Sequence, residues 1–169
     1  MALDNLHIRF ATENDIKTIL NFIYELAEFE KLRHEVIATE ESLRKHLFGS
    51  VARAEVLLIC MGNNEIGFAL FFHNFSTFVG KPGLYLEDLY VKPAFRGFGI
   101  GKAIFYFLAQ LALERDCGRI EWWVLNWNKK AINFYQNLGA IAMDDWSVFR
   151  LSEDKLKTLA KLNKFQCTS

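Results

Sequence analysis

The chain is predicted to be a mixed α/β layer protein with an antiparallel first half, and three observations carry that expectation. Apolar segments of helical period and of strand length alternate along the chain with short connections. Two apolar runs, "EVLLICM" and "EIGFALFFHNF", flank Gly62, Asn63 and Asn64, the signature of a β-hairpin. A further strand, "GLYLEDLYV", leads into a glycine-rich segment that opens an apolar helix.

The elements follow in order. His7 to Ala11 is a brief extended run, and Thr12 with Asp15 three residues on resembles a helix N-cap. Ile16, Ile19, Leu20, Ile23, Leu26 and Ala27 then share one helical face. "ATEESLRKHLFGS" starts with Thr39 and two acids and stops at Gly49, which predicts a second, short helix. The hairpin and "GLYLEDLYV" come next, and Pro93 ends that ladder because it has no N–H to donate. After the glycines, Ala103, Ile104, Phe107, Leu108, Leu111 and Ala112 repeat at helical spacing. "RIEWWVL" predicts a strand, "KKAINFYQNL" a helix closed by Gly139, and "WSVFRL" a last strand. Ser152 with Glu153 and Asp154 caps a C-terminal helix, amphipathic through Leu156, Leu159, Ala160 and Leu162. Neither repeat nor low-complexity linker interrupts them, so residues 1–169 are expected to form a single domain.

Lys plus Arg and Asp plus Glu number 20 each, so no net charge draws the chain to nucleic acid or to an anionic membrane. A hydrophobic fraction of 51% with 16 Phe predicts a tight core, yet no apolar stretch approaches the ~18 residues that span a bilayer. "MALDNLHIRFATEND" lacks a basic segment followed by an apolar one, which makes the cytoplasm the expected location. Cys60, Cys117 and Cys167 are odd in number and widely spaced, and His7, His34, His46 and His73 are scattered. Disulfide framework and zinc site are therefore not expected, and Cys60 in an apolar run and Cys117 in a turn read as packing. Trp122, Trp123 and Trp127 read as packing, and "LERDCGR" as a helix end with solvated charges.

"VKPAFRGFGIGKAIF" puts Gly97, Gly99 and Gly101 on alternate positions between Arg96 and an apolar helix. A helix start leaves N–H groups unpaired and carries partial positive charge, so a strand, a glycine turn and a helix form anion-binding geometry. A dinucleotide fingerprint needs glycine where Lys102 stands, and a triphosphate P-loop needs glycine at Arg96 and a hydroxyl at Ala103. Both fail on the residues present.

What remains is R-x-x-G-x-G from Arg96 to Gly101, and in it the chain resembles the GNAT superfamily of N-acetyltransferases, whose loop wraps the pyrophosphate of acetyl-coenzyme A. Joined to "LYLEDLYV", "VLNWNKKAINFYQNLGA" and "ELAEFEKL", the pattern is similar to the diamine (spermidine/spermine) and thialysine acetyltransferases over about residues 7–150. The resemblance implies a central, mostly antiparallel sheet with a splayed parallel strand pair and flanking helices. It also implies direct acetyl transfer in a ternary complex, no metal and a homodimer. It assigns catalysis to Glu87, which deprotonates the amine through water, and to Tyr135, the acid towards the coenzyme sulfur. Coenzyme contacts fall to Leu89, Val91, Arg96, Gly97, Phe98, Gly99, Ile100, Gly101, Lys102, Asn128 and Asn133, and substrate contacts to Glu30, Ser76, Glu87 and Asp88. Asn21 stands where the polyamine branch has arginine and Ser76 where it has aspartate, which favours the thialysine branch, acting on the side-chain amine of a lysine analogue.

The residues fit that chemistry on their own terms. A primary amine near pKa 10 is protonated at neutral pH and must lose a proton before attacking a thioester, and the departing thiolate gains from an acid. Glu87 and Asp88 are adjacent in a strand, so a regular strand would turn them to opposite faces. For these residues the plain alternative is an edge strand with one wet face, and for Tyr135 ordinary helix packing. Two other functions stay open: a GNAT-like module that binds coenzyme or amine without turnover, and an acetyltransferase acting on lysine within a protein.

Overall fold

In the computed structural model, which describes residues 5–164, five strands form one sheet in the order β1-β2-β3-β4-β5. They are β1 (Leu6–Phe10), β2 (Glu55–Met61), β3 (Asn64–Ser76), β4 (Lys81–Val91) and β5 (Ile120–Trp122). The first four pair antiparallel and β4 pairs β5 in parallel, so the mixed architecture expected from the sequence is the one observed. The β2–β3 turn is Gly62 and Asn63, with Gly62 at φ 58°, a conformation that costs glycine nothing.

Two helical layers cover the sheet. On one face, Ile19 and Phe22 of α1 (Ile16–Phe29) pack on Val56, Leu58, Cys60, Phe68 and Tyr90, with Phe22 stacked on Phe68 at 5.6 Å between ring centres. Phe22 lies outside the helical set picked from the sequence, because the buried stripe is wide enough to take a neighbouring position. Thr39 caps α2 (Glu40–Leu43), which runs on as a wider π-turn to Phe48 and stops at Gly49, as expected. On the other face lies α3 (Ile100–Glu114), whose Phe105 meets Trp122 edge-on at 5.0 Å. Cys60 and Cys117 are buried and burial raises both thiols, in keeping with packing roles, while Cys167 lies outside the described residues.

The ladder between β3 and β4 breaks once: Leu70 pairs with Asp88 and Phe71 with Leu86, which leaves Glu87 as the extra residue of a β-bulge. Pairing of β4 to β5 also ends there, at Leu86 with Trp122. The strand expected over "RIEWWVL" is accordingly only three residues long. A strand persists only while a neighbouring backbone is in reach, and the bulge bends β4 away.

The described residues divide into two compact units, one running to Trp123 and one beginning at Val124. The second holds α4 (Lys129–Asn137) and α5 (Glu153–Lys161). Gly139, at φ 90°, closes α4: its N–H donates to Gln136 O at 2.9 Å and that of Ala140 to Tyr135 O at 3.1 Å. Ser152 precedes α5 as expected. The strand expected at "WSVFRL" does not form: residues 146–151 are irregular, since the second unit has no other described strand to complete a ladder.

Candidate active site

The bulge assembles the acidic part of the site. Because Asp88 pairs with Leu70, it shares the α1 face of the sheet with Tyr90, whereas Leu86 faces α3; Glu87, between them, is exposed. Glu30 caps the C-terminus of α1, held there by a Schellman turn in which Lys31 takes φ 62° and the N–H of Leu32 donates to Ala27 O at 2.8 Å. Burial first, then the charges of Glu87 and Glu30, push the Asp88 carboxyl up to about 7. Burial also raises Glu30. Two of the four residues expected at the substrate, Glu87 and Glu30, therefore act on a third, Asp88. A carboxyl that titrates near neutrality, beside further carboxylates, suits a site that receives an ammonium group and passes on its proton.

Ser76 is not part of that group. It is buried at the far end of β3, paired with Lys81, and its Oγ accepts the N–H of Val79 at 3.3 Å. Six residues of β4 separate Lys81 from Asp88, on the order of 20 Å of strand.

Next to the acids, β4 continues from Glu87 to Val91 beyond the last residue pair it makes with β5. Leu89 and Val91 lie on this stretch, which has no residue paired with β5. The Val91 carbonyl already accepts Arg96 Nε at 2.7 Å, and the Arg96 guanidinium lies over the Phe29 ring at 4.6 Å. That tether aims the turn which follows. Gly97 and Gly99 take φ 84° and 83°, with open space where a Cβ would stand, so here glycine answers a backbone demand rather than a steric one. Gly101 differs: it is the second residue of α3 and has no positive φ. The N–H groups of Ile100, Gly101 and Lys102 precede the first intrahelical bond, from Ala103 N to Gly99 O at 3.0 Å, and remain available to an anion. Phe98 is exposed beside them.

In the second unit, Asn128 has a structural task of its own. It is the N-cap of α4, and its Oδ1 accepts the N–H of Ala131 at 3.2 Å. Asn133 is exposed and Tyr135 half-buried on the same helix, the Tyr135 ring lying 5.4 Å from that of Phe134.

Residues 16–140 match the model of the acetyltransferase (GNAT) family. The chain belongs to that family. Among curated relatives, the mouse (Mus musculus) protein named thialysine N-epsilon-acetyltransferase is 40% identical over 164 residues, covering 90% of this chain and 96% of its own. The Arabidopsis thaliana protein named L-ornithine N5-acetyltransferase is 30% identical, over 92% and 88% of the two chains. Among solved structures, an integron cassette protein from the mobile metagenome of V. cholerae superposes with a TM-score of 0.77 at 25% identity, over 93% and 98% of the chains.

As a GNAT acetyltransferase, the protein uses acetyl-CoA as its co-substrate. The turn and helix start at residues 96–102 fit that molecule: two left-handed glycines, free N–H groups and one arginine suit a pyrophosphate. Sequence reasoning passed over Tyr85, Arg119 and Glu121. For Arg119 and Glu121 the signal was the polar-apolar alternation in "RIEW", which marks a strand with one wet face.

Proposed function

We propose that this GNAT acetyltransferase moves acetyl from acetyl-CoA to the side-chain primary amine of a small lysine-like amino acid, by direct transfer in a ternary complex. The observation that carries the reading is the β-bulge that sets exposed Glu87 beside Asp88, whose carboxyl burial and the charges of Glu87 and Glu30 raise, at the point where β4 parts from β5. Acidic groups for an ammonium stand there beside β4 main chain that has no residue paired with β5. The names of the mouse and Arabidopsis relatives, thialysine and ornithine acetyltransferases, support the amino-acid class.

In this mechanism Asp88 and Glu30 draw in the ammonium and Glu87 takes its proton through water. The freed nitrogen attacks the thioester carbonyl, a C–N bond forms, and the C–S bond breaks. As the amide forms its nitrogen sheds a second proton to solvent, while Tyr135 gives a proton to the departing sulfur and recovers one from solvent. Leu89 and Val91 offer main chain to the pantetheine amides. Residues 96–102 hold the pyrophosphate, and Asn133 contacts the coenzyme.

The same reading carries a cytoplasmic homodimer. Phe75, Phe78 and Val79 at the β3–β4 turn, and Leu156, Leu159 and Leu162 on α5, are exposed apolar side chains of the kind a second copy covers. Light scattering then reads twice 19.6 kDa.

The test is thiol release from acetyl-CoA with thialysine, lysine, ornithine, putrescine, spermidine and a lysine peptide, with Glu87→Gln and Tyr135→Phe alongside. Turnover favouring the amino acids, and reduced about 10²-fold or more in both variants, is the expected result. Full activity in Glu87→Gln, or turnover confined to the peptide, overturns the reading.

A further inference from the structure

Beyond the acids, the same face of the sheet carries a second set of polar groups. On β3, Phe72 and Asn74 continue the series begun by Leu70, and they pair with Tyr85 and Gly83 of β4. Tyr85 pairs in turn with Glu121 of β5, and the Trp123 ring stands edge-on to Tyr85 at 6.0 Å. Across this rung the Asn74 amide donates to Glu121 Oε2 at 2.8 Å. Arg119 Nε lies 2.9 Å from the same oxygen but makes no hydrogen bond.

An ion pair that only fastened three strands would satisfy its polar atoms. This one does not: Asn74 Oδ1 and Arg119 Nε are both buried without a hydrogen-bond partner among the described residues. The charged groups are nonetheless within reach of solvent, with Arg119 and Glu121 side chains 37% and 35% exposed. Gly83 makes the room, because a Cβ there would meet Asn74 Oδ1 at 2.3 Å and Arg119 Cγ at 3.2 Å. A positive fork, a carboxylate and an amide, side by side and not fully used by one another, match the carboxylate and ammonium of an amino-acid head group.

The spacing agrees. From Phe72 to Leu70 is one same-face step along β3, so the Tyr85–Glu121 rung lies roughly 7 Å from Asp88. Five zigzag single bonds separate the α-carbon of lysine from its terminal nitrogen, roughly 6 Å when extended. Tyr85 belongs to that rung, its hydroxyl pushed up to about 12 by burial and by the charges of Glu87 and Glu121.

The geometry points to Arg119, Glu121 and Asn74 as the site for the α-carboxylate and α-ammonium of the substrate, which makes this enzyme select amino acids over plain diamines. The inference rests on the proposed acetyl transfer to a side-chain amine. Its probes are thialysine and bis(2-aminoethyl) sulfide, the same molecule without the carboxylate. Arg119→Gln is expected to raise KM for thialysine about 10-fold or more with kcat little changed, and to leave the sulfide within about 2-fold. Arg119→Lys should fall between, and Glu121→Gln should raise KM for both amines. Equal effects of Arg119→Gln on the two amines, or none on thialysine, overturn the inference.

Calorimetric titration of both amines in the presence of coenzyme A separates this site from the acetylation reading. Thialysine binding that depends on Arg119, without turnover of either amine, keeps the head-group site and overturns the acetyl transfer. Neither binding nor turnover overturns both. Thermal midpoints of the variants identify a fold defect, in which case Arg119→Lys, which keeps the charge and stem, decides.

Discussion

Asp88 pairs with Leu70, one residue out of the register that Lys81 to Leu86 keep, so its carboxyl shares the α1 face of the sheet with Tyr90. In regular pairing Leu70 would meet Glu87. The shift half-buries one acid, leaves the other exposed, and lies within a residue of where the pairing of β4 with β5 ends.

The first prediction concerns pH. With its folded value at about 7, Asp88 is neutral below that pH and charged above it. KM for the amine should fall as pH rises through about 7, and Asp88→Asn should flatten that profile and raise KM at pH 8 about 10-fold or more. A raised folded value means the stability Asp88 contributes is present below its unfolded value near 4 and is lost as pH rises to about 7. Asp88→Asn should therefore raise the thermal midpoint at pH 8 by several degrees, on the order expected for a few kcal/mol in a domain of this size, and less at pH 5. Melting curves at the two pH values check it.

A second prediction follows from Gly99, the N-cap of α3 at φ 83°. Gly99→Ala forces a Cβ into left-handed backbone at a cost of about 1–2 kcal/mol. Open space around that site means no clash adds to it, so the fold should survive. The relaxed turn withdraws N–H groups from the anion, and acetyl-CoA binding should weaken about 10-fold by calorimetry.

Asn128 offers a sharper choice. Its side chain caps α4, so Asn128→Ala should cost about 1 kcal/mol of stability and Asn128→Asp or Asn128→Ser much less. If capping is its whole contribution, KM for acetyl-CoA stays unchanged in the Asp and Ser variants. A tenfold rise in both would mark a direct coenzyme contact instead.

Acid behaviour should report on Asp15. Arg9 donates to both of its oxygens at 2.8 Å and the Thr12 N–H donates at 2.7 Å. The Arg9 hydrogen bonds, ahead of those from Thr12, hold the Asp15 carboxyl well below the usual range. A depressed folded value gives stability that is present above the unfolded value near 4 and lost as pH falls further. The difference in thermal midpoint between wild type and Asp15→Asn should be constant from pH 8 to 5 and shrink below pH 4.

Local rules make much of the molecule legible in its residues alone. The β2–β3 turn needs Gly62, α2 begins at Thr39, and α4 ends at Gly139, because each depends only on backbone conformation and hydrogen bonds within a few residues. The strand expected at "WSVFRL" fails for the opposite reason: its ladder would need a partner strand, and apolar alternation does not say whether one is in reach.

By itself the sequence determined the element order apart from the strand expected at "WSVFRL", the glycine turn at the start of α3 and, through its motifs, the family. Short-range chemistry suffices for these. Tertiary structure alone decided that Glu87 would be the extra residue of a bulge and that Asp88 would turn to the α1 face. It also decided that Asn74, Arg119 and Glu121, distant in the chain, would meet across three strands. Register is a property of paired strands, and a shift of one residue, invisible in either strand alone, moves side chains from one face of the sheet to the other.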